Sequence, residues 1–202
     1  MIAVQCLLDL IIADLRSGAL VPGSWLKQVD LQARYGVGRP TVRKALEVLA
    51  HRRMIRHDLH RGYSVHPADD DDAQAALELR AVVEAGFAPS IVKGATVDDV
   101  DALEDLALAF RDRIGRGGMS ALYAANLAFH ARLLTAAGNP LLLSMVEELR
   151  ARTSPAPVSQ WGGLPQLHRS AAEHLDMVSA LRGRDAGGLA VLIRQHILGD
   201  AA

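Results

Sequence analysis

Residues Gly36 to Leu46, GVGRPTVRKAL, constrain this chain more than any other stretch: turn residues open a helix that carries two arginines four residues apart, Arg39 and Arg43. Pro40 does not break such a helix, because in the first turn its missing N–H costs nothing and its fixed φ suits the start. Beyond it Val42, Ala45, Leu46 and Leu49 line one face, while Arg39, Thr41, Arg43 and Lys44 project elsewhere. Immediately upstream, Val29 to Tyr35 reads as a short helix stopped by Gly36. Two short helices joined at Gly36-Val37-Gly38 make a helix-turn-helix.

The flanks extend that unit. Val4, Leu7, Leu8, Ile11, Ile12 and Leu15 recur every three to four residues, which predicts an amphipathic helix ended by Ser17-Gly18 and followed by a turn at Pro22-Gly23. After the arginine-bearing helix, Met54 to His57 and Tyr63 to Val65 flank the turn-bearing segment Asp58 to Gly62, the pattern of a hairpin wing. The expected fold is therefore a winged helix-turn-helix over residues 1–66.

Charge separates this part from the rest. The whole chain of 202 residues is nearly neutral, with 22 Lys/Arg against 23 Asp/Glu, but residues 1–66 hold ten basic and five acidic side chains and the remainder twelve and eighteen. The sign changes at His66-Pro67-Ala68 and the run Asp69 to Asp72, so 67–72 is the expected joint between two domains. No run of about 18 uninterrupted apolar residues occurs, which argues against a membrane span. The apolar start is interrupted by Asp9 and Asp14 and lacks a basic segment, unlike a signal peptide. Cys6 is the only cysteine, which excludes an internal disulfide and fits a cytoplasmic location.

A basic helix of this kind suits double-stranded DNA. The major groove admits a helix whose N-terminal residues meet base edges, and a guanidinium pairs bidentately with guanine O6 and N7, each pair contributing roughly 1–3 kcal/mol of discrimination. Arg39 and Arg43 are the candidates for that role. Lys44, Arg52, Arg53 and Arg61 suit phosphate or minor-groove contacts, which supply affinity rather than sequence choice.

Residues 73–202 show helical periodicity and no strand signals, with helices expected near 73–93, 97–114, 119–137, 140–152, 166–182 and 186–199, an all-α bundle of about six. Asn126 and His130 stand four apart and share a helix face, while His174 and His196 lie on the last two helices. Three imidazoles and an amide oxygen can thus converge, a donor set suited to Zn²⁺ or Ni²⁺. On spacing alone, a lone histidine on a helix is more often a surface residue or a hydrogen-bonded core one.

Residues 4 to 66 resemble the winged-helix domain of the GntR family of bacterial transcription regulators. The resemblance is carried by Ser17-Gly18-Ala19-Leu20, Pro22-Gly23, Leu26, Leu31, the GVGRPTVRKAL segment, Leu49, and Arg61-Gly62 before Tyr63-Ser64-Val65. It implies that Arg39 and Arg43 read the operator and that a wing tipped by Arg61-Gly62 enters the minor groove. Gly38 stands where that family usually has serine, which removes a helix cap and a phosphate contact and implies weaker operator binding.

The rest resembles the FCD ligand-binding domain of the FadR-type branch, through Glu78-Leu79-Arg80 with Glu84, Asn126 to His130, Ala137 to Leu141, Glu173-His174, and Arg184-Asp185 leading to His196. The resemblance implies metal ligands at Asn126, His130, His174 and His196, with Asn126 where aspartate is commoner, so that the site is more positive. Arg80 is implied to pair with a carboxylate effector. An ion pair with Glu84 one turn along is the equal alternative. His168 matches no motif and is expected on the surface or against a partner.

Two other classes compete with a regulator that binds a pseudo-palindromic operator as a homodimer under control of a small carboxylate. A zinc hydrolase would need a positioned base, and Glu173, next to His174, points about 100° away on a helix. An architectural DNA-binding protein would not need an enclosed polar pocket. Turnover lost on chelation would mark the hydrolase, and sequence-indifferent binding the architectural protein.

Overall fold

The computed structural model describes residues 4–66, 71–116, 118–152 and 163–199. The chain divides into two compact units, an N-terminal one and a mainly C-terminal one. The expected joint at 67–72 and the expected loop over Ser154 to Pro165 fall largely outside the described residues.

The first unit comprises α1 (Val4–Ser17), α2 (Gln28–Tyr35), α3 (Arg39–His51), β1 (Arg56–Asp58) and β2 (Gly62–Ser64). Leu7, Leu8, Ile11 and Leu15 of α1 are buried against Leu31 of α2 and against Val42, Ala45, Leu46 and Leu49 of α3, with Leu26, Ile55 and Val65 closing the core. These are the apolar faces expected from periodicity. Gly36 ends α2 with φ 63°, ψ 34°, the left-handed conformation that glycine adopts without a Cβ penalty, and its N–H donates to the Gln32 carbonyl. Gly38 is the N-cap of α3 and, lacking a side chain, makes no capping bond there. The Asp14 carboxylate accepts from Arg34 Nε and from the Tyr35 hydroxyl, each at 2.7 Å, and so ties the end of α1 to the end of α2. Burial first, then the Asp14 carboxylate, push the Tyr35 phenol well above its ordinary pKa.

β1 and β2 pair antiparallel, with Arg56 opposite Ser64, His57 opposite Tyr63 and Asp58 opposite Gly62. The wing is wider than expected, because Trp25 forms an antiparallel bridge with Ser64 and Leu26 N donates to the Tyr63 carbonyl at 2.8 Å.

The second unit, residues 75–149 and 161–202, is built from most of α4 (Asp71–Gly86) and α8 (Pro140–Arg152) and from α5 (Ala88–Gly94), α6 (Val97–Arg113), α7 (Met119–Thr135), α9 (Leu164–Arg182) and α10 (Ala186–Leu198). The single helix expected over 73–93 is two. Phe87 lies between them and Pro89 sits in the first turn of α5, where a ring without an N–H starts a helix but cannot continue one. Seven helices therefore stand among the described residues after His66 where about six were expected.

α6 packs on α7 and α9, and α10 packs on α9 and α5. Their shared core includes Leu103, Ala107, Phe129, Leu133, Met177, Val178, Leu181, Leu189 and Ile193. Thr96 and Asp99 form a reciprocal capping box at the start of α6, and the Thr96 backbone and hydroxyl bonds hold the Asp99 carboxyl below its usual range. α5 passes the end of α7 so closely that a Cβ on Gly94 would lie 2.1 Å from the Ala136 carbonyl oxygen. Arg184, in the turn before α10, donates to the carbonyls of Val92 and Ala95, which anchors that turn to the end of α5. Asp185 then caps α10 by accepting from Gly188 N at 2.8 Å. These contacts fix the helix that carries His196.

Candidate functional site

On the first unit, Arg39, Arg43 and Lys44 are exposed on α3, Thr41 is half-buried, and Arg52 is exposed just past the end of the helix. The opposite face of α3 is wholly in the core, so the basic face is the one left for a partner. Arg43 Nε lies 3.6 Å from Glu47 Oε1, an exposed pair one turn apart. Such a pair contributes only about 0.3–0.5 kcal/mol, less than the roughly 1–3 kcal/mol of a bidentate base contact, so it does not bar Arg43 from such a contact. Arg39 Nε donates to Gln28 Oε1 at 3.2 Å. Arg61 is exposed at the wing turn, beside Gly62, with its guanidinium carbon 4.9 Å from the Trp25 ring centroid. His57 and Tyr63 stack across the hairpin with centroids 4.6 Å apart. All the basic residues expected to meet DNA thus lie outside the core of one small unit.

On the second unit, α7, α9 and α10 bring His130, His174 and His196 together, their ligand atoms all within 4.8 Å of one another. Asn126 is buried one turn before His130 on α7. His174 has no exposed surface. Its ring stacks on Phe129, centroids 4.1 Å apart and planes 22° from parallel, and Phe110 packs at 5.0 Å. Two aromatic rings thus restrict how the imidazole can turn.

His130 Nε2 and His196 Nε2 stand 3.0 Å apart, and His196 Nδ1 lies 2.6 Å from Glu173 Oε2. With that carboxylate on Nδ1, a neutral His196 carries its proton there and turns the Nε2 lone pair toward the other two imidazoles. Metal–nitrogen bonds of about 2.1 Å at tetrahedral or octahedral angles separate two ligand nitrogens by roughly 3.0–3.4 Å. The His130–His196 spacing and the chemistry of the donor set therefore fit a divalent ion. Glu173, a candidate hydrolytic base from its place beside His174, is instead paired with His196 Nδ1. Its partner sits on a different helix, so spacing along α9 carried no signal of it.

Arg80 Nε is 2.8 Å from Glu84 Oε1, with the arginine side chain 10% exposed and the glutamate 0%. The structure thus contains the ion pair that was one of the two roles expected of Arg80. His168 is exposed, as a surface histidine would be. No described helix is long and apolar enough to cross a membrane.

A winged helix with a basic outer face, in one chain with a helical unit enclosing a three-histidine cluster, defines a class of two-part DNA-binding regulators. Residues 5–65 match the gntR family of bacterial regulatory proteins and residues 75–199 match the FCD domain. The Nta operon transcriptional regulator of Aminobacter aminovorans is 25% identical over 176 residues, which is 87% of this chain and 82% of that protein. The HTH-type transcriptional repressor RspR of Escherichia coli is 24% identical over 178 residues, 88% and 78% of the two chains. Among solved structures, E. coli McbR/YncC shares the fold at a TM-score of 0.79 and 20% identity, covering 98% of this chain and 94% of the other. A GntR-type regulator from Rhodococcus sp. RHA1 has a TM-score of 0.71 at 21% identity, covering 96% and 93%.

The chain belongs to the gntR family of bacterial regulatory proteins, in the branch that carries an FCD domain. It is a DNA-binding transcriptional regulator, and its curated relatives are named as regulators rather than enzymes.

Proposed function

We propose that this regulator is a repressor whose hold on its operator is controlled by a small carboxylate metabolite captured in the helical domain. Residues 1–66 form the DNA-binding domain, 67–72 the joint, and 73–202 the effector-binding and dimerisation domain. A homodimer places two copies of α3 on the half-sites of a pseudo-palindrome. Arg39 and Arg43 read base edges, Thr41, Lys44 and Arg52 hold phosphates, and Arg61 with Gly62 enters the minor groove.

The observation that supports control by a ligand is the convergence of buried His130 and His174 with half-buried His196. With Asn126 they would hold Zn²⁺ or Ni²⁺, and a bound ion would supply Lewis-acid affinity for a carboxylate at coordination positions the protein leaves open. Glu173 sets the tautomer of His196, Phe110 and Phe129 exclude water around His174, and Arg80 pairs with the carboxylate of the effector. Effector binding favours one arrangement of the two winged helices and so changes operator affinity.

Replacement of Arg43 by alanine tests the DNA half. Operator affinity should fall about 5- to 150-fold, the loss of one bidentate contact, with thermal stability of the helical unit unchanged. Unchanged affinity would remove Arg43 from the interface.

A further inference from the structure

Gly23 to Gln28 belongs to no DNA-reading motif, yet it touches two of the arginines assigned to DNA. Its backbone is sewn to the wing: Gly23 N donates to the Val65 carbonyl at 3.1 Å, Val65 N to the Ser24 carbonyl at 2.9 Å, and Leu26 N to the Tyr63 carbonyl at 2.8 Å. Leu26 is buried in the core, and strand alternation turns its neighbour Trp25 outward, where the ring lies under Arg61 at 4.9 Å. Three residues on, at the first position of α2, Gln28 accepts from Arg39 Nε at 3.2 Å.

Both contacts act on how a guanidinium is presented. Arginine has five N–H donors, and committing the one on Nε to Gln28 leaves Nη1 and Nη2 of Arg39 for an end-on pair with guanine O6 and N7. The indole face holds the Arg61 plane while leaving its N–H edge free for phosphate or a base edge. A long side chain already held in place loses less rotamer freedom when DNA binds. We infer that Trp25 and Gln28 are positioning residues of the DNA interface, Trp25 for Arg61 at the wing and Gln28 for Arg39 at the head of α3. The inference rests on the assignment of those two arginines to DNA.

Crossed double-mutant cycles on the full chain test it, with an operator duplex selected from a random library by the wild-type protein as the probe. Trp25→Leu and Gln28→Ala should each weaken operator binding about two- to fivefold. The Trp25→Leu loss should vanish when Arg61 is alanine and persist when Arg39 is alanine; the Gln28→Ala loss should show the reverse. Trp25→Phe keeps an aromatic face and should lose less, again only while Arg61 is present, so the cycle also closes with the milder variant. Losses that persist without the matching arginine, or that depend equally on both, would overturn the inference, as would variants that bind like wild type. If Arg39→Ala and Arg61→Ala themselves leave affinity unchanged, the assignment of the arginines fails instead, an outcome the same data separate.

Discussion

Replacing Arg80 by methionine separates the two roles this residue can play. Its guanidinium lies 2.8 Å from Glu84 on the inward side of α4, and the Glu84 side chain has no exposed surface. Removing one partner of a buried ion pair costs about 3–5 kcal/mol, because the other charge stays desolvated without it. For a chain of this size each kcal/mol moves the melting midpoint by about 2–4 °C, so a drop of roughly 6–20 °C is expected by calorimetry or thermal fluorescence. Adding Glu84→Leu removes the buried carboxylate as well and should recover most of the loss, since an apolar pair of similar volume is often as stable as the ion pair. The double variant, folded but lacking the guanidinium, should bind carboxylates more weakly than wild type. An Arg80→Met midpoint equal to that of wild type would refute the reasoning from burial, and full carboxylate binding by the double variant would leave Arg80 with a structural role alone.

Other outcomes follow from the same geometry. Glu173→Ala removes the acceptor 2.6 Å from His196 Nδ1 and should lower zinc affinity about 10–100-fold in a chelator competition, with little change in fold; unchanged affinity would deny Glu173 its orienting role. Gly38→Ser should be accommodated, because a Cβ there meets only Pro40 Cδ at 3.7 Å and the N-cap backbone is already extended at φ −74°, ψ 155°. It should stabilise the first unit by a few tenths of a kcal/mol and tighten operator binding through an added phosphate contact, and weaker binding would contradict that.

Local pattern made much of this protein legible. The apolar faces of α1 and α3, the stop at Gly36, the proline-tolerant start of α3 and the hairpin all follow from residues close together in the chain. The histidine cluster was legible because Asn126 and His130 share a face and the last two helices have to pack to bury their own. What escaped was pairing between distant segments. Nothing near Trp25 announces that it bridges Ser64, and nothing near Glu173 announces that its oxygen meets His196. The break at Phe87 was masked for another reason: the apolar period runs through it, and only Pro89 marks where the backbone has to restart.

The most direct test is the operator affinity of the full chain, zinc-loaded and chelator-stripped, titrated by fluorescence anisotropy with and without a carboxylic acid chosen for its thermal stabilisation of the loaded protein. The loaded protein should change its operator affinity about 5–150-fold on adding the acid, the usual range for coupled sites. The stripped protein and the His174→Ala variant should bind the operator but ignore the acid. An equal response without the ion, or without His174, would place the control of DNA binding somewhere other than the histidine cluster.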